Sequence, residues 1–198
     1  MPDIVFERFA DYLIKKIQHR KSYVKRIVNQ KKYDPVEDYY LKLRQRLISL
    51  LKKQAPLSEL DNIIKNLTPK RIDNYEFLID QIQLFLQDKK YCWVTPPRNQ
   101  VDYADLSLIV NPEIGLEIED EEFFIKMYFK KPDLKKDKVD ILLKIMQDAY
   151  KEEFPNANFA VWDVRRGSLY QVKASDDIRV SYNFEQEAKN WLKYATEE

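Results

Sequence analysis

Residues 105–130 read DLSLIVNPEIGLEIEDEEFFIKMYFK, and the phase of this stretch decides the architecture. Leu106, Leu108 and Val110 fall on one face of an extended chain, Asn111-Pro112 breaks the run, and Ile114, Leu116 and Ile118 resume the period of two. The acidic turn Glu119-Asp120-Glu121-Glu122 then leads into Phe123, Ile125, Met127 and Phe129. Such alternation marks half-buried strands, so the segment predicts a β-hairpin, although without the usual Asn-Gly turn. In this phase Ile114, Leu116, Ile118, Ile125 and Met127 point to a core. Glu113, Gly115, Glu117, Phe124, Lys126 and Tyr128 share the opposite, solvated face. Asp105 and Ser107 join that face if their strand pairs in the same sheet.

Upstream, the first ninety residues carry helical periodicity. Phe6, Phe9, Leu13, Ile17, Val24 and Ile27 lie near one face of a 3.6-residue repeat, with a weak point at Arg20–Ser22. Asp34, Pro35 and Glu37 give a start signal for a second helix, with Leu43, Leu47, Leu50 and Leu51 inward. A short helix follows Pro56, and Thr68-Pro69 opens a fourth whose stripe runs from Ile72 to Leu86. Tyr91–Thr95 reads as a strand stopped by Pro96-Pro97. Downstream of the hairpin, 133–151 is helical, and 159–164 with 168–172 forms a second hairpin around Arg165-Arg166-Gly167. A last strand near Ile178–Tyr182 precedes a closing helix, 184–194, with Trp191 and Leu192 inward. The expected class is α+β: an N-terminal helical lobe packed on a C-terminal mixed or antiparallel sheet flanked by helices. The division expected is 1–90, a basic helical lobe, and 91–198, an α+β domain, with helix 69–89 assignable to either. No Gly/Ser linker separates the two, so they are expected to pack together.

Composition narrows the chemistry. A chain that is 44% hydrophobic and 13% aromatic can bury a core, which a disordered chain cannot. No apolar run approaches the roughly 20 residues that span a bilayer, and the start of the chain lacks a signal-peptide pattern. A cytoplasmic protein with no membrane contact is the expectation. The only cysteine, Cys92, allows no intrachain disulfide, and its neighbours Tyr91 and Trp93 suggest a half-buried strand in which it packs as a small hydrophobe. The only histidine, His19, excludes paired-His zinc sites and reads as a surface residue. Two glycines, Gly115 and Gly167, cannot build a Gly-rich phosphate loop or a nucleophile elbow.

Charge is unevenly distributed. Residues 1–73 carry a net +8 and residues 74–198 a net −7. Between Tyr12 and Tyr33 lie Lys15, Lys16, Arg20, Lys21, Lys25, Arg26, Lys31 and Lys32, with no acid. This tract is a candidate surface for nucleic-acid backbone, with Tyr12, Tyr23 and Tyr33 placed to stack on bases. Two other readings stand beside it: a solvated helix face, or docking onto the acidic half of the same chain. Arg165 and Arg166, at a hairpin tip, form a second phosphate-gripping candidate beside the reading of an ordinary polar turn.

The sheet face offers a third candidate. Glu113, Glu117 and Lys126 can converge there, with Asp105 if its strand joins, and such a group suits Mg²⁺ held by Asp105, Glu113 and Glu117. The competing reading is cross-strand charge pairing on a solvated sheet face. From about residue 70 the order helix, strand, strand, strand, helix, strand resembles the core of restriction-endonuclease-like nucleases. Pro112-Glu113 is similar to the first half of their motif, and Phe124-Ile125-Lys126 occupies the place of its acid-x-Lys half. Phe124 stands where the second metal-binding carboxylate falls. The resemblance implies a phosphodiesterase ancestry, with Glu113, Glu117 and Lys126 as catalytic residues, or a lineage that kept the fold and lost the reaction.

Two functions follow. The first, favoured by the charge split and the incomplete motif, is a non-catalytic protein that binds nucleic acid or a protein partner through a basic helical arm, without a cofactor. The second is a metal-dependent nuclease. A structural subunit of a larger assembly also fits the long helices, and the sequence does not set the oligomeric state.

Overall fold

The computed structural model describes residues 4–30, 38–103, 105–171 and 178–197. A two-residue strand β1 (Ile4–Val5) leads into α1 (Phe6–Ile14), and a 3-10 turn (Ile17–His19) connects it to α2 (Arg20–Asn29). The second helix of the sequence reading is α3 (Leu41–Lys53); its start signal at Asp34, Pro35 and Glu37 lies outside the described residues. The segment after Pro56 is a ten-residue 3-10 helix (Leu57–Asn66), and α4 (Pro69–Leu86) begins with its proline in the first turn. Strands β2 (Cys92–Trp93), β3 (Asn99–Tyr103), β4 (Leu106–Val110), β5 (Ile114–Ile118) and β6 (Glu121–Tyr128) follow. Then come α5 (Lys136–Tyr150), β7 (Asn158–Asp163), β8 (Ser168–Gln171) and α6 (Ile178–Thr196). The class is α+β, as the periodicities indicate.

Two sheets are present among the described residues. A three-stranded sheet runs β1-β4-β3, and a five-stranded mixed sheet runs β2-β5-β6-β7-β8. Strands β5 and β6 form the expected hairpin, with Ile114 opposite Ile125 and Ile118 opposite Glu121. Its turn is tighter than the sequence reading placed it. Glu119 (φ 53°) and Asp120 (φ 63°) are both left-handed, the backbone of a two-residue type I′ turn without its usual Asn-Gly. The α5 crossover returns β7 parallel to β6.

The inward set Ile114, Leu116, Ile125 and Met127 is buried, so the strand phase of the hairpin is as the alternation indicates, with Ile118 only half-buried at its end. The opposite face is not solvated. Phe124, Lys126 and Tyr128 are buried as well. A strand flanked by a helix-connected parallel neighbour is covered on both faces, and alternation alone does not reveal the second cover. On one side, Phe124, Tyr128, Phe159 and Val161 pack with α1, α2, α5, α6 and the three-stranded sheet. On the other, Ile125, Met127, Ala160 and Trp162 pack with α3, the 3-10 helix and α4. The helices of the first ninety residues thus serve both faces of the sheet.

Four expectations are corrected. Strand β4 does not pair beside β5, so Asp105 and Ser107 belong to the other sheet. The first helix breaks at Lys15–Lys16, which are extended, rather than at Arg20–Ser22. The break lets Arg20 turn back and donate to Leu13 O (2.9 Å) and Lys15 O (3.1 Å), satisfying carbonyls left over at the end of α1. Residues Ile178–Tyr182 are the first turns of α6, not a strand. Their β-branched composition favours a strand, but Phe184, Ala188 and Trp191 are fully buried on one helical face, and Trp191 meets Phe9, Tyr12 and Tyr23 at ring distances of 5.8, 5.1 and 6.4 Å. Burying large aromatics contributes more than local propensity. Finally, Cys92 is an exposed free thiol rather than a packed one, because its strand lies at the sheet edge. Among the described residues no helix is long and apolar enough to cross a membrane.

Candidate functional site

Pro112 ends the β4–β5 connection, and Glu113 enters β5 with its N–H donating to Ile125 O at 3.1 Å. Its carboxylate folds over β6. Oε2 accepts the Met127 N–H at 3.0 Å, and Oε1 accepts from Lys126 Nζ. Both side chains are largely buried, Lys126 6% and Glu113 11% exposed. Burial pushes the Lys126 ammonium down, but Glu113 and Glu7 outweigh it and hold the group above its ordinary value, so it is charged at neutral pH.

Glu7 is the residue that strand reasoning misses. It sits in the first turn of α1, where its charge also suits the helix dipole. Burial raises its carboxyl, while Lys126, Arg44 and Lys130 more than offset this and hold it below the usual range. Arg44, from α3, donates to Glu7 Oε1 at 2.9 Å and to Asp38 Oδ2 at 2.5 Å. A chain of charges therefore runs Glu113, Lys126, Glu7, Arg44, Asp38, joining β6 to α1 and α3.

This chain borders a cavity of about 270 Å³. It is lined by Lys126, Tyr128 and Lys130 at and just beyond the end of β6, by residues of α1 and α2, and by Tyr39, Tyr40 and Arg44 at the start of α3. Among the described residues its charged lining comprises Arg8, Arg26, Arg44, Lys126 and Lys130, with Glu7, Asp11 and Asp38. With Glu113, which pairs with Lys126 at the cavity's border, the described residues set five cations against four acids, a small positive excess that suits an anionic occupant. Lys130 pairs with Asp11, whereas Arg8 donates to the neutral amide of Gln30 at 3.3 Å.

Of the sheet-face set, the fold joins Glu113 to Lys126 and leaves the others apart. Glu117 is exposed, opposite Glu122 on one side and Cys92 on the other. Asp105 is exposed in the β3–β4 turn of the other sheet. Asp105, Glu113 and Glu117 are therefore not gathered as a metal-holding set: Asp105 belongs to the other sheet, and Glu113 and Glu117 stand four residues apart along extended β5, roughly 13 Å by strand rise. Among the described residues no three His, Cys, Asp or Glu side chains group so as to hold a metal ion. Phe124, at the motif's second acid position, is fully buried and packs at 5.0 Å on the Phe154 ring.

The basic tract divides. Arg20 is buried and donates to both oxygens of Glu187 on α6, which also accepts from Tyr12 and Lys138. Lys21 pairs with Glu197 at 2.6 Å. Lys15 lies 4.7 Å and Arg26 5.4 Å from the centre of the Tyr23 ring, and Arg26 also lines the cavity. Lys16 is exposed and Lys25 half-buried. Lys31, Lys32 and Tyr33 lie outside the described residues. Tyr12, fully buried, is not available for stacking on a ligand.

At the second hairpin, Arg165 donates to Phe129 O (3.3 Å) and to Asn74 of α4, and its guanidinium lies 5.2 Å from the centre of the Phe77 ring. Arg166 bonds Asp163 and Lys131 O, each at 2.9 Å, and pairs with Asp133. Both arginines brace the turn against its neighbours. Gly167, at φ 59°, supplies the left-handed residue that starts β8.

No family model matches this chain, and no curated protein matches it.

Proposed function

We propose that this protein binds nucleic acid without cleaving it, and that the charged cavity between α1, α2, α3 and β6 is where the phosphodiester backbone is held. The observation that carries this reading is the convergence of Arg8, Arg26, Arg44, Lys126 and Lys130 on one cavity that tyrosines also line. Cations contribute sequence-independent affinity for phosphates, and tyrosines offer faces to bases. The basic arm of the sequence reading contributes Arg26 to this surface, while Arg20 and Lys21 are committed to α6.

The test is fluorescence anisotropy with a labelled oligonucleotide across a salt series. Binding is expected at low salt, with log K falling against log salt by roughly 0.7–0.9 per phosphate contacted. Absence of binding at low salt, or a flat salt response, overturns the reading.

A metal-dependent nuclease is the second reading. It is favoured by one observation: the acid of Pro112-Glu113 and Lys126, the two motif positions present, meet as a buried pair with Glu7 nearby. Here Glu113, Lys126 and Glu7 carry the chemistry, in place of Glu117 and Asp105. Incubating the protein with nucleic acid and Mg²⁺ or Mn²⁺ separates the readings. Cleavage that Glu113→Gln and Lys126→Ala both abolish establishes the nuclease. Intact nucleic acid under conditions where it is bound supports the binder.

A further inference from the structure

The cavity's dimensions and the chemistry of its walls specify the form of nucleic acid it takes. Its volume is about 270 Å³, and it opens to solvent. That is just below the ~300–1,000 Å³ of small-ligand pockets, a scale that suits one small group of a chain rather than a long stretch of it.

Its walls are unequal. On the α3 side, Tyr40 stacks on Phe129 at a ring distance of 5.2 Å and an 18° tilt, and Tyr39 meets Tyr40 edge-on at 4.8 Å. These rings form a braced aromatic corner, and both tyrosines are only half-buried. On the α1 side stands Arg8. Arg44, Lys126 and Lys130 are each matched to a carboxylate, but Arg8 meets the neutral amide of Gln30, which leaves its charge uncompensated by that contact. An anion approaching Arg8 displaces an amide rather than a carboxylate, so it competes with a neutral hydrogen bond instead of an ion pair.

Resting on the nucleic-acid reading above, we propose that the cavity holds a single unstacked nucleotide, its phosphate on Arg8 and its base against the Tyr39–Tyr40 corner. The protein therefore selects single strands and strand ends over continuous duplex. Extruding a base from a duplex costs unstacking and unpairing, which a single strand does not incur. Arg71 lies 4.7 Å from the centre of the Tyr39 ring and Phe129 stacks on Tyr40, so a base meets the rims and remaining surface of these rings; such contact is not base-specific, and the preference is for strandedness rather than sequence.

The experiment compares the full chain's affinity for a labelled single strand with that for a duplex of the same sequence, then competes the single strand with adenosine monophosphate. The single strand is expected to bind about tenfold tighter or better. The mononucleotide is expected to displace it. Arg8→Gln, which removes charge at a half-buried position, is expected to weaken single-strand binding severalfold and lower the salt slope by about one. Equal affinity for both forms, or failure of the mononucleotide to compete, overturns this proposal while salt-sensitive binding leaves the broader reading standing. Loss of all binding at low salt overturns both. The strand comparison and the competition use the unaltered protein, so they decide the matter even if Arg8→Gln folds poorly.

Discussion

Arg20 Nη1 donates to both carboxylate oxygens of Glu187, at 2.9 and 2.7 Å, across 167 residues of chain. The contact puts the centre of the basic tract against the closing helix and shows that part of the charge split is satisfied internally. Glu187 also accepts from Tyr12 (3.0 Å) and Lys138 (2.8 Å), so one carboxylate ties α1, α2 and α5 to α6.

Removing either partner of this buried pair leaves the other short of charge compensation: Glu187 keeps Lys138 and Tyr12, and Arg20 keeps the carbonyls of Leu13 and Lys15. Arg20→Met and Glu187→Gln are each expected to cost about 3–5 kcal/mol in urea denaturation, and the double replacement by apolar residues considerably less than the sum. An additive double variant contradicts the pairing.

The same hub sets an acid limit. Burial raises the Glu187 carboxyl, but Lys138 and Arg20 outweigh it and hold it below its ordinary 4.5. A carboxyl lowered by folding stabilises the protein above the unfolded value and loses that contribution as pH falls through the folded one. Stability measured downward from pH 5 is expected to decline, and Glu187→Gln to flatten that decline. An unchanged acid limb in the variant assigns acid sensitivity elsewhere.

Lys126 works with the opposite sign. Burial lowers it, Glu113 and Glu7 more than reverse this, and its folded value lies above 10.5. Its contribution is fully present below the unfolded value and is lost as pH rises through the folded one. Lys126→Met is expected to destabilise the protein at neutral pH by about 3–5 kcal/mol, since the buried Glu113 then keeps the Met127 N–H but loses its paired cation, and adding Glu113→Gln to recover part of that loss. A milder effect of Lys126→Met than of the double variant contradicts the buried pair.

Gly115 and the two turn residues Glu119 and Asp120 give stability tests of the hairpin. A Cβ on Gly115 falls 2.2 Å from Val94 O, a backbone atom that cannot swing aside, so Gly115→Ala is expected to cost about 1–3 kcal/mol. Conversely, Glu119→Asn with Asp120→Gly supplies residues suited to the left-handed turn and is expected to raise stability by about 1 kcal/mol. Thermal melts check both signs.

The helices and the hairpin phase were legible because apolar spacing encodes them: Leu43, Leu47, Leu50 and Leu51, and again Ile114, Leu116, Ile125 and Met127, are buried as their periods require. Their partners were not. Nothing local distinguishes a solvated Lys126 from one covered by α1, and nothing near Asp105 says that β4 joins β1 rather than β5. Glu7 and Arg44 enter the site through tertiary proximity, 37 residues apart, with only a helix-start acid and one of many surface-like arginines as signals. At Ile178–Tyr182 local strand propensity pointed one way, and the burial of Phe184 and Trp191 decided the other.

Amide hydrogen exchange of the protein with and without a single-stranded oligonucleotide reads out where the nucleic acid sits. Protection is expected on residues 7–11, 23–30, 39–44 and 126–130, four segments that line the cavity. Protection confined to the hairpin tip at 164–168 or to the exposed end of α3, or no change at saturating oligonucleotide, contradicts the account.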